Sequence, residues 1–333
     1  MKTIFKIKPQ VLFIRVTENC NAGCFMCGFA KSKKQLYVTD ESVKSIVTQA
    51  KKAGIRLVRF TGGEPLLHQE ITSFIRLFKF QGIKTSIITN GFLLPIRLND
   101  LIKSELDQVI ISLDGSCPSV HDKLRNLPGV FENAIKSIKS IKKQKSNLLI
   151  RVNTIVSPFN FEDLGNILDL LVSLGVDQWS IIPLKSKENL WKDVDRSKIL
   201  SAYRRFQDKA GNLTLPRLLG YSKQWAGRNN LEIDKYFNFG ITFSPKGKCA
   251  LVDLVRFYIP FTDRLLPCNC VPWRIKNVSL NTECGLAALT DGALTPFVEY
   301  LKTNGPALCL GCEPINSYLA EHPKIIKDDI FVI

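Results

Sequence analysis

The sequence predicts an α/β protein, a partial (β/α)6, TIM-like barrel followed by a small cysteine-rich α+β domain. Runs rich in valine and isoleucine alternate with stretches whose apolar residues recur every three or four positions, which is typical of parallel βα units. A second group of cysteines follows the last of these units and marks the smaller domain. The predicted strands are 11–16, 55–60, 84–89, 108–113, 148–156 and 178–183.

The helices between these strands have recognisable ends. In the first helix, Thr39 or Asp40 can accept a hydrogen bond from an N–H of the first turn, and Gly54 permits a left-handed exit. Two further helices are predicted to end at Gly82 and Gly175. Each helix carries one apolar stripe, which we expect to pack on the sheet. In the first helix this stripe comprises Val43, Ile46, Val47 and Ala50.

We divide the chain into three segments, with the barrel over residues 1–185 and the cysteine-rich domain over residues 241–333. Between them lie residues 186–240, which include Trp191 and Pro216. The apolar residues of this segment show little regular spacing. We expect this middle segment to link the two domains and to cover the mouth of the barrel.

The chain of 333 residues has a net charge of +16. Residues 240–333 contain 9 basic and 9 acidic side chains, so the whole excess lies in residues 1–239. A basic excess suits a small-molecule partner with an anionic group. Lysines on helix faces such as 136–145 indicate a solvated surface, and these runs lack interleaved aromatic residues that would stack on bases. We therefore expect no nucleic-acid binding.

No apolar stretch is long enough to cross a bilayer, and no signal peptide is present at the N-terminus. We therefore expect a cytoplasmic protein without a membrane partner. Ten cysteines in such a chain favour metal or redox chemistry over disulfides, which belong mainly to small secreted proteins.

Three of these cysteines, Cys20, Cys24 and Cys27, follow the first apolar run within eight residues. Their thiolates can hold one metal centre but cannot supply four protein ligands, so a bound cluster would keep one position open for chemistry. A structural zinc site would need a fourth ligand, and the nearest histidines, His68 and His121, lie outside finger-like spacing.

The spacing of these cysteines, Cx3Cx2C, resembles the motif with which radical S-adenosylmethionine (SAM) enzymes hold a [4Fe-4S] cluster after the first barrel strand. Further segments follow in the order that this superfamily shows. They are VRFTGGEP at 58–65, IITNG at 87–91 and IISLDG at 110–115. The resemblance covers roughly residues 10–185.

The resemblance implies a set of SAM-binding residues at the carboxyl ends of the strands, where parallel barrels place their sites. Gly62, Gly63 and Glu64 would meet the amino group of SAM. Arg125 and Asn153 occupy positions at which family members contact its carboxylate and ribose. The remaining implied cofactor-binding residues are Asn90, Ser112 and Asp114.

Two points stay open among these residues. The glycine pair could instead form a tight strand-to-helix turn that any βα protein can use. Arg15, Arg59 and Arg151 each lie inside an apolar strand, where pairing with a carboxylate in the barrel lining is as plausible as a contact with substrate.

The C-terminal segment contains a second constellation of four cysteines. Cys249 precedes the stretch RFYIPFTDRLLPC, which ends at Cys268 and is typical of a hairpin, and Cys309 and Cys312 follow as a CxxC pair. Four thiolates could enclose a second [4Fe-4S] cluster or a zinc ion. The spacing resembles the twitch domain, the shortened SPASM domain, in the fully cysteine-ligated version of 2-deoxy-scyllo-inosamine dehydrogenase-type enzymes. One departure is that Thr262, Asp263 and Arg264 replace the usual glycine of the hairpin turn.

Cys117, Cys270 and Cys284 belong to neither group of predicted cluster ligands. Buried free cysteines are commonly small apolar residues. Some radical SAM epimerases use a spare cysteine to return a hydrogen atom, so Cys270 is our candidate catalytic residue. It could also exchange with Cys268 as a cluster ligand.

The predicted activity is reductive cleavage of SAM to a 5′-deoxyadenosyl radical, which takes hydrogen from a small polar metabolite such as a sugar, aminocyclitol or nucleoside. Oxidation or decarboxylation in a specialised biosynthetic pathway would follow, with flavodoxin or ferredoxin as the reducing partner. Two alternatives stay open, a peptide-modifying enzyme and a non-catalytic iron–sulfur or zinc protein. Because the first strand begins early, we expect no leader-recognition domain, which favours the metabolite.

Overall fold

The computed structural model describes residues 9–31, 35–144, 146–184, 190–211, 216–220, 254–267, 284–296, 298–299, 301 and 331. The strands are β1 Val11–Thr17, β2 Leu57–Gly62, β3 Lys84–Thr89, β4 Gln108–Ser112, β5 Leu149–Val156, β6 Gln178–Pro183, β7 Arg217–Gly220, β8 Val255–Ile259 and β9 Arg264–Leu266. The helices are α1 Asp40–Ala53, α2 Ile71–Phe80, α3 Leu94–Lys103, α4 Pro118–Arg125, α5 Val130–Lys143, α6 Leu164–Ser173, α7 Arg196–Ala210 and α8 Ala288–Asp291.

The strands form one sheet in the order β7-β6-β5-β4-β3-β2-β1-β8-β9. Strands β1 to β7 pair in parallel with their sequence neighbours, and β8 pairs in parallel with the other edge of β1. Among the described strands, no pairing joins β9 to β7, so this sheet stays open. The predicted partial barrel is confirmed.

Alternate residues of β1 face two different cores. Leu12 and Ile14 pack among helix residues in the main hydrophobic cluster, whereas Val11 and Phe13 belong to a second cluster with Leu57 and other strand residues. Both faces of the strand are therefore buried, which explains why its sequence is apolar almost throughout.

The ends of α1 follow the sequence prediction. The hydroxyl of Thr39 accepts a hydrogen bond from the backbone N–H of Ser42, so Thr39 is the cap and Asp40 is the first helical residue. Gly54 ends the helix with φ of 75°, in the left-handed region. The predicted stripe is buried. None of the described helices is long and apolar enough to cross a membrane.

Replacing Gly54 with alanine is expected to destabilise the protein by about 1 kcal/mol, because a Cβ disfavours the left-handed conformation. Nothing lies within 4 Å of the added carbon, so the cost is confined to the backbone. Gly211 is the matched control, since its φ of −61° suits alanine. The midpoint of urea unfolding should fall for Gly54→Ala and not for Gly211→Ala; equal midpoints would contradict the assignment.

The barrel contains more than the six predicted units. In the segment expected to be a linker, α7 and β7 continue the βα alternation. Helix α7 was missed because its few apolar residues are separated by many charged ones. One of these apolar residues, Phe206, packs against Trp179 with ring centroids 5.7 Å apart. Strand β7 has only 4 residues, too few for a clear alternation.

The predicted hairpin is present as β8 and β9. Asp263 takes the place of glycine with φ of 44°, and its Oδ1 accepts hydrogen bonds from the Tyr258 hydroxyl at 2.7 Å and from Leu286 N at 2.9 Å. These contacts offset the strain that a non-glycine residue has there. The hairpin extends the barrel sheet, and the domain boundary at residue 240 stays a prediction.

Candidate active site

The loop after β1, which we call the cysteine loop (residues 18–27), crosses directly over the glycine pair at the end of β2. Gly63 N donates to Thr17 O at 2.9 Å, and Glu64 N donates to Asn19 O at 2.7 Å. A Cβ on Gly62 would lie 2.2 Å from Thr17 O, and one on Gly63 would lie 1.9 Å from Asn19 O. The glycines are therefore required by a close backbone approach as well as by a turn.

The side chain of Glu64 links the ends of β2 and β3 by hydrogen bonds. Its side chain is fully buried and accepts hydrogen bonds from Leu66 N at 3.0 Å, the Thr89 hydroxyl at 2.7 Å and Asn90 N at 2.7 Å. Burial raises the pKa of Glu64 to about 7, and these hydrogen bonds oppose the rise. Its implied contact with the SAM amino group stays a prediction.

Asn90 connects β3 to the cysteine loop. Its Nδ2 donates to Asn21 Oδ1 at 2.7 Å, while its Oδ1 accepts from Phe92 N at 2.9 Å. Asn21 was missing from the sequence prediction. The only sequence signal for it is an amide side chain between two cysteines, which is too common to stand out.

Asp114 and Arg125 form a buried ion pair, with Asp114 Oδ2 2.7 Å from Arg125 Nη2. The other carboxylate oxygen of Asp114 accepts from Ile155 N at 2.8 Å. Asp114 N donates to Nδ1 of His121, which is fully buried and was not predicted as a site residue. The turn after β4 is thereby fixed to β5 and α4.

The cysteine loop rests on the carboxyl end of α4. Gly23 N donates to Arg125 O at 3.1 Å, and the Cys24 thiol donates to the same oxygen with a sulfur–oxygen distance of 3.6 Å. A Cβ on Gly23 would meet Asn126 Nδ2 at 2.5 Å, so this contact is also close. The loop is thus held by β2, β3 and α4 at once.

The three thiols of this loop suit a metal cluster. Cys24 is buried, and Cys20 and Cys27 are partly buried. Burial, with smaller contributions from Glu64 and the two neighbouring cysteines, raises the pKa of Cys20 to about 11. The Cys20 thiol therefore holds its proton until a metal displaces it.

Within the described residues, no three His, Cys, Asp or Glu side chains converge on a single metal ion. In a cubane cluster, by contrast, each thiolate binds a different iron. The donor set of Cys20, Cys24 and Cys27 fits such a cluster and leaves one iron without a protein ligand.

Ser112 and Asn153 are paired neighbours on β4 and β5 at the same edge of the sheet. Asn153 Oδ1 accepts from Arg151 Nε at 2.9 Å.

Among the arginines inside the strands, Arg15 lies 3.3 Å from Glu18, so it does pair with a carboxylate. Buried Arg59 donates to Ser86 Oγ at 2.8 Å and lies with its guanidinium 5.2 Å from the centre of the Phe13 ring.

Cys117 is partly exposed, beside Ser119, and Cys284 is buried next to β9, where its carbonyl accepts from Leu265 N. The predicted auxiliary ligands Cys249, Cys268, Cys309 and Cys312, together with the candidate catalytic Cys270, lie outside the described residues.

Comparison with curated proteins finds relatives with two different names. The probable GTP 3′,8-cyclase of Methanocaldococcus jannaschii is 31% identical over 194 residues, which is 56% of this chain and 64% of the relative. The AdoMet-dependent heme synthase of Methanosarcina barkeri is 26% identical over 170 residues, which is 50% of this chain and 48% of the relative. The chain thus spans about half to two-thirds of the length of these relatives.

Among solved structures, Streptococcus suis SuiB bound to S-adenosylmethionine has the same fold, with a TM-score of 0.62 and 18% identity over 90% of this chain and 68% of SuiB. Residues 14–171, which contain the cysteine loop and the motifs around it, match the family described as the Radical SAM superfamily. These residues form a radical SAM domain.

Proposed function

We propose that this protein is an enzyme that cleaves SAM reductively and abstracts hydrogen from a small polar metabolite. The observation that carries the proposal is the position of the three cysteines, which β2, β3 and α4 hold at the carboxyl edge of the parallel sheet. A [4Fe-4S] cluster held by these cysteines would, once reduced, supply the electron that splits SAM into methionine and a 5′-deoxyadenosyl radical.

The chain's own residues would hold and shield this chemistry. Cys20, Cys24 and Cys27 would each bind one iron, and the fourth iron would stay open for SAM. The ordered set of Glu64, Asn90, Ser112, Asp114, Arg125 and Asn153 surrounds the loop or lies at the same edge. Hydrogen bonds with Glu64 N, Asn90 and the Arg125 carbonyl hold the loop in place. These three residues are buried, which helps to exclude water from a radical.

A metabolite with an anionic group is supported by two observations. The chain has a net charge of +16, and Arg15, which pairs with Glu18, lies on the same face of β1 as Val11 and Phe13. One relative is named for acting on GTP, which favours a nucleoside among the sugar, aminocyclitol and nucleoside candidates. Oxidation or decarboxylation in a specialised biosynthetic pathway of the cytoplasm is part of the same proposal.

A peptide substrate is the second candidate. SuiB has also been solved bound to its precursor peptide SuiA, in a structure with a TM-score of 0.60 to this chain. That similarity concerns the fold alone, at 19% identity, so it is weak support for a peptide substrate. The net charge and the GTP cyclase relative give stronger support to a metabolite.

Isotope transfer separates these candidates. The protein is reconstituted anaerobically and given dithionite, SAM and either a deuterium-labelled metabolite extract or the labelled peptide fraction of the same cells. We expect deuterium in 5′-deoxyadenosine from the metabolite extract. Label that comes only from the peptide fraction would contradict the metabolite proposal, and an electron carrier would yield no 5′-deoxyadenosine at all.

We also propose a second [4Fe-4S] cluster on Cys249, Cys268, Cys309 and Cys312, a neighbouring Cys270 that returns a hydrogen atom or exchanges with Cys268, and flavodoxin or ferredoxin as the electron donor. A fully ligated cluster cannot bind substrate through iron, so it would accept or relay an electron. The hairpin that Cys249 and Cys268 flank supports this arrangement.

Replacing the four auxiliary cysteines with alanine is expected to lower bound iron from about eight to about four atoms per chain, the content of two and of one [4Fe-4S] cluster. The double variant Cys117→Ala/Cys284→Ala is the control and should keep about eight. Iron and sulfide analysis of the reconstituted proteins provides the measurement. Unchanged iron in the fourfold variant would refute the auxiliary cluster.

A further inference from the structure

Arg125 contacts Cys24 from two directions. Its backbone oxygen accepts from Gly23 N at 3.1 Å and from the Cys24 thiol at 3.6 Å. Its guanidinium Nη1 lies 4.0 Å from the same sulfur. Arg125 is only 8% exposed, so water competes little for these contacts. Neither Cys20 nor Cys27 has such a contact with Arg125 among the hydrogen bonds of the described residues.

Metal binding changes which of these contacts is favourable. A thiolate on iron has no proton to donate, so the carbonyl of Arg125 no longer accepts from Cys24. The guanidinium, by contrast, gains a stronger acceptor when the sulfur becomes negative. A cationic donor at a cluster sulfur favours the more negative, reduced cluster, because hydrogen bonds to sulfur and local charge set the reduction potential.

Asp114 acts in the opposite sense. Its carboxylate lies 2.7 Å from Arg125 Nη2 and is completely buried. It therefore holds the guanidinium in place and cancels part of its positive potential at Cys24. Residues 114 and 125 thus form a pair of opposite charges in which only the positive member contacts the sulfur.

We propose that Arg125 is a positioning residue for the iron–sulfur cluster that raises its reduction potential, and that Asp114 moderates this effect. The inference rests on the proposed function, since it needs a cluster on Cys20, Cys24 and Cys27. It goes beyond the contact with the SAM carboxylate that the resemblance implies for Arg125. If Arg125 acted only through SAM, its replacement would leave the potential of the SAM-free cluster unchanged.

The test is a potentiometric titration of the reconstituted, SAM-free protein, followed by electron paramagnetic resonance of the reduced cluster. Both the wild type and the variants are prepared with the four auxiliary cysteines replaced by alanine, so that one cluster is observed. Arg125→Gln should make reduction about tenfold less favourable, which for one electron is about 59 mV. Asp114→Asn should shift the potential in the opposite direction, and the double variant should lie between the two.

Lys123→Gln is the matched control, because Lys123 is an exposed cation on the same helix. Its potential should equal that of the wild type, and an Arg125→Gln potential equal to this control would overturn the proposal. If Arg125→Gln binds no iron, Asp114→Asn decides the question, since an unchanged potential there would overturn it equally. A wild type without any cluster would instead refute the proposed function, so the two failures are distinguishable.

Discussion

Replacing Gly63 with alanine is expected to abolish iron loading and to lower SAM cleavage by about a hundredfold or more. The new Cβ would lie 1.9 Å from Asn19 O and 2.4 Å from Asn19 C, and both atoms belong to the backbone. No side-chain rotation can relieve this contact, so the cysteine loop must move away from β2. The hydrogen bond from Glu64 N to Asn19 O would be lost at the same time.

Iron content and the rate of 5′-deoxyadenosine formation would measure this effect. Gly54→Ala provides the control, because it introduces the same methyl group where nothing lies within 4 Å. The control should load iron normally despite its modest loss of stability. Normal iron content and activity in Gly63→Ala would show that the loop does not depend on this approach.

Replacing Asp114 with alanine is expected to destabilise the metal-free protein by about 3–5 kcal/mol, because it leaves the buried guanidinium of Arg125 without its charge partner. The loss also removes the acceptor of Ile155 N. Arg125 holds Cys24 and Gly23, so the damage should extend to the cysteine loop.

Urea unfolding monitored by circular dichroism would give the change in stability. Asp169→Ala is the control, since Asp169 pairs with Lys209 at the surface and such pairs contribute at most about 1 kcal/mol. Similar unfolding midpoints for the two variants would show that the buried pair adds no more stability than a surface pair does.

Much of this site could be predicted because parallel strands bring their carboxyl ends to one edge. The family resemblance selected the cysteines, Glu64, Asn90 and Asp114, and the parallel strands place all of them at this edge. The helices followed from local signals, such as the cap at Thr39 and the left-handed Gly54.

Features that depend on long-range contacts could not be predicted. Nothing local in the sequence tells that β8 pairs with β1, that Asn21 contacts Asn90, or that Arg125 contacts Cys24. The glycine pair could be a turn or a close approach, and only the path of the cysteine loop decides between them. Strand β7 was missed because four residues carry too little periodicity.

The central claim is that Cys20, Cys24 and Cys27 hold a cluster that cleaves SAM, and one measurement tests it most directly. Protein reconstituted without oxygen is incubated with dithionite and SAM, and 5′-deoxyadenosine is quantified beside the threefold cysteine-to-alanine variant. We predict product from the wild type and none above background from the variant. No product from an iron-loaded wild type, or equal product from both proteins, would contradict the claim.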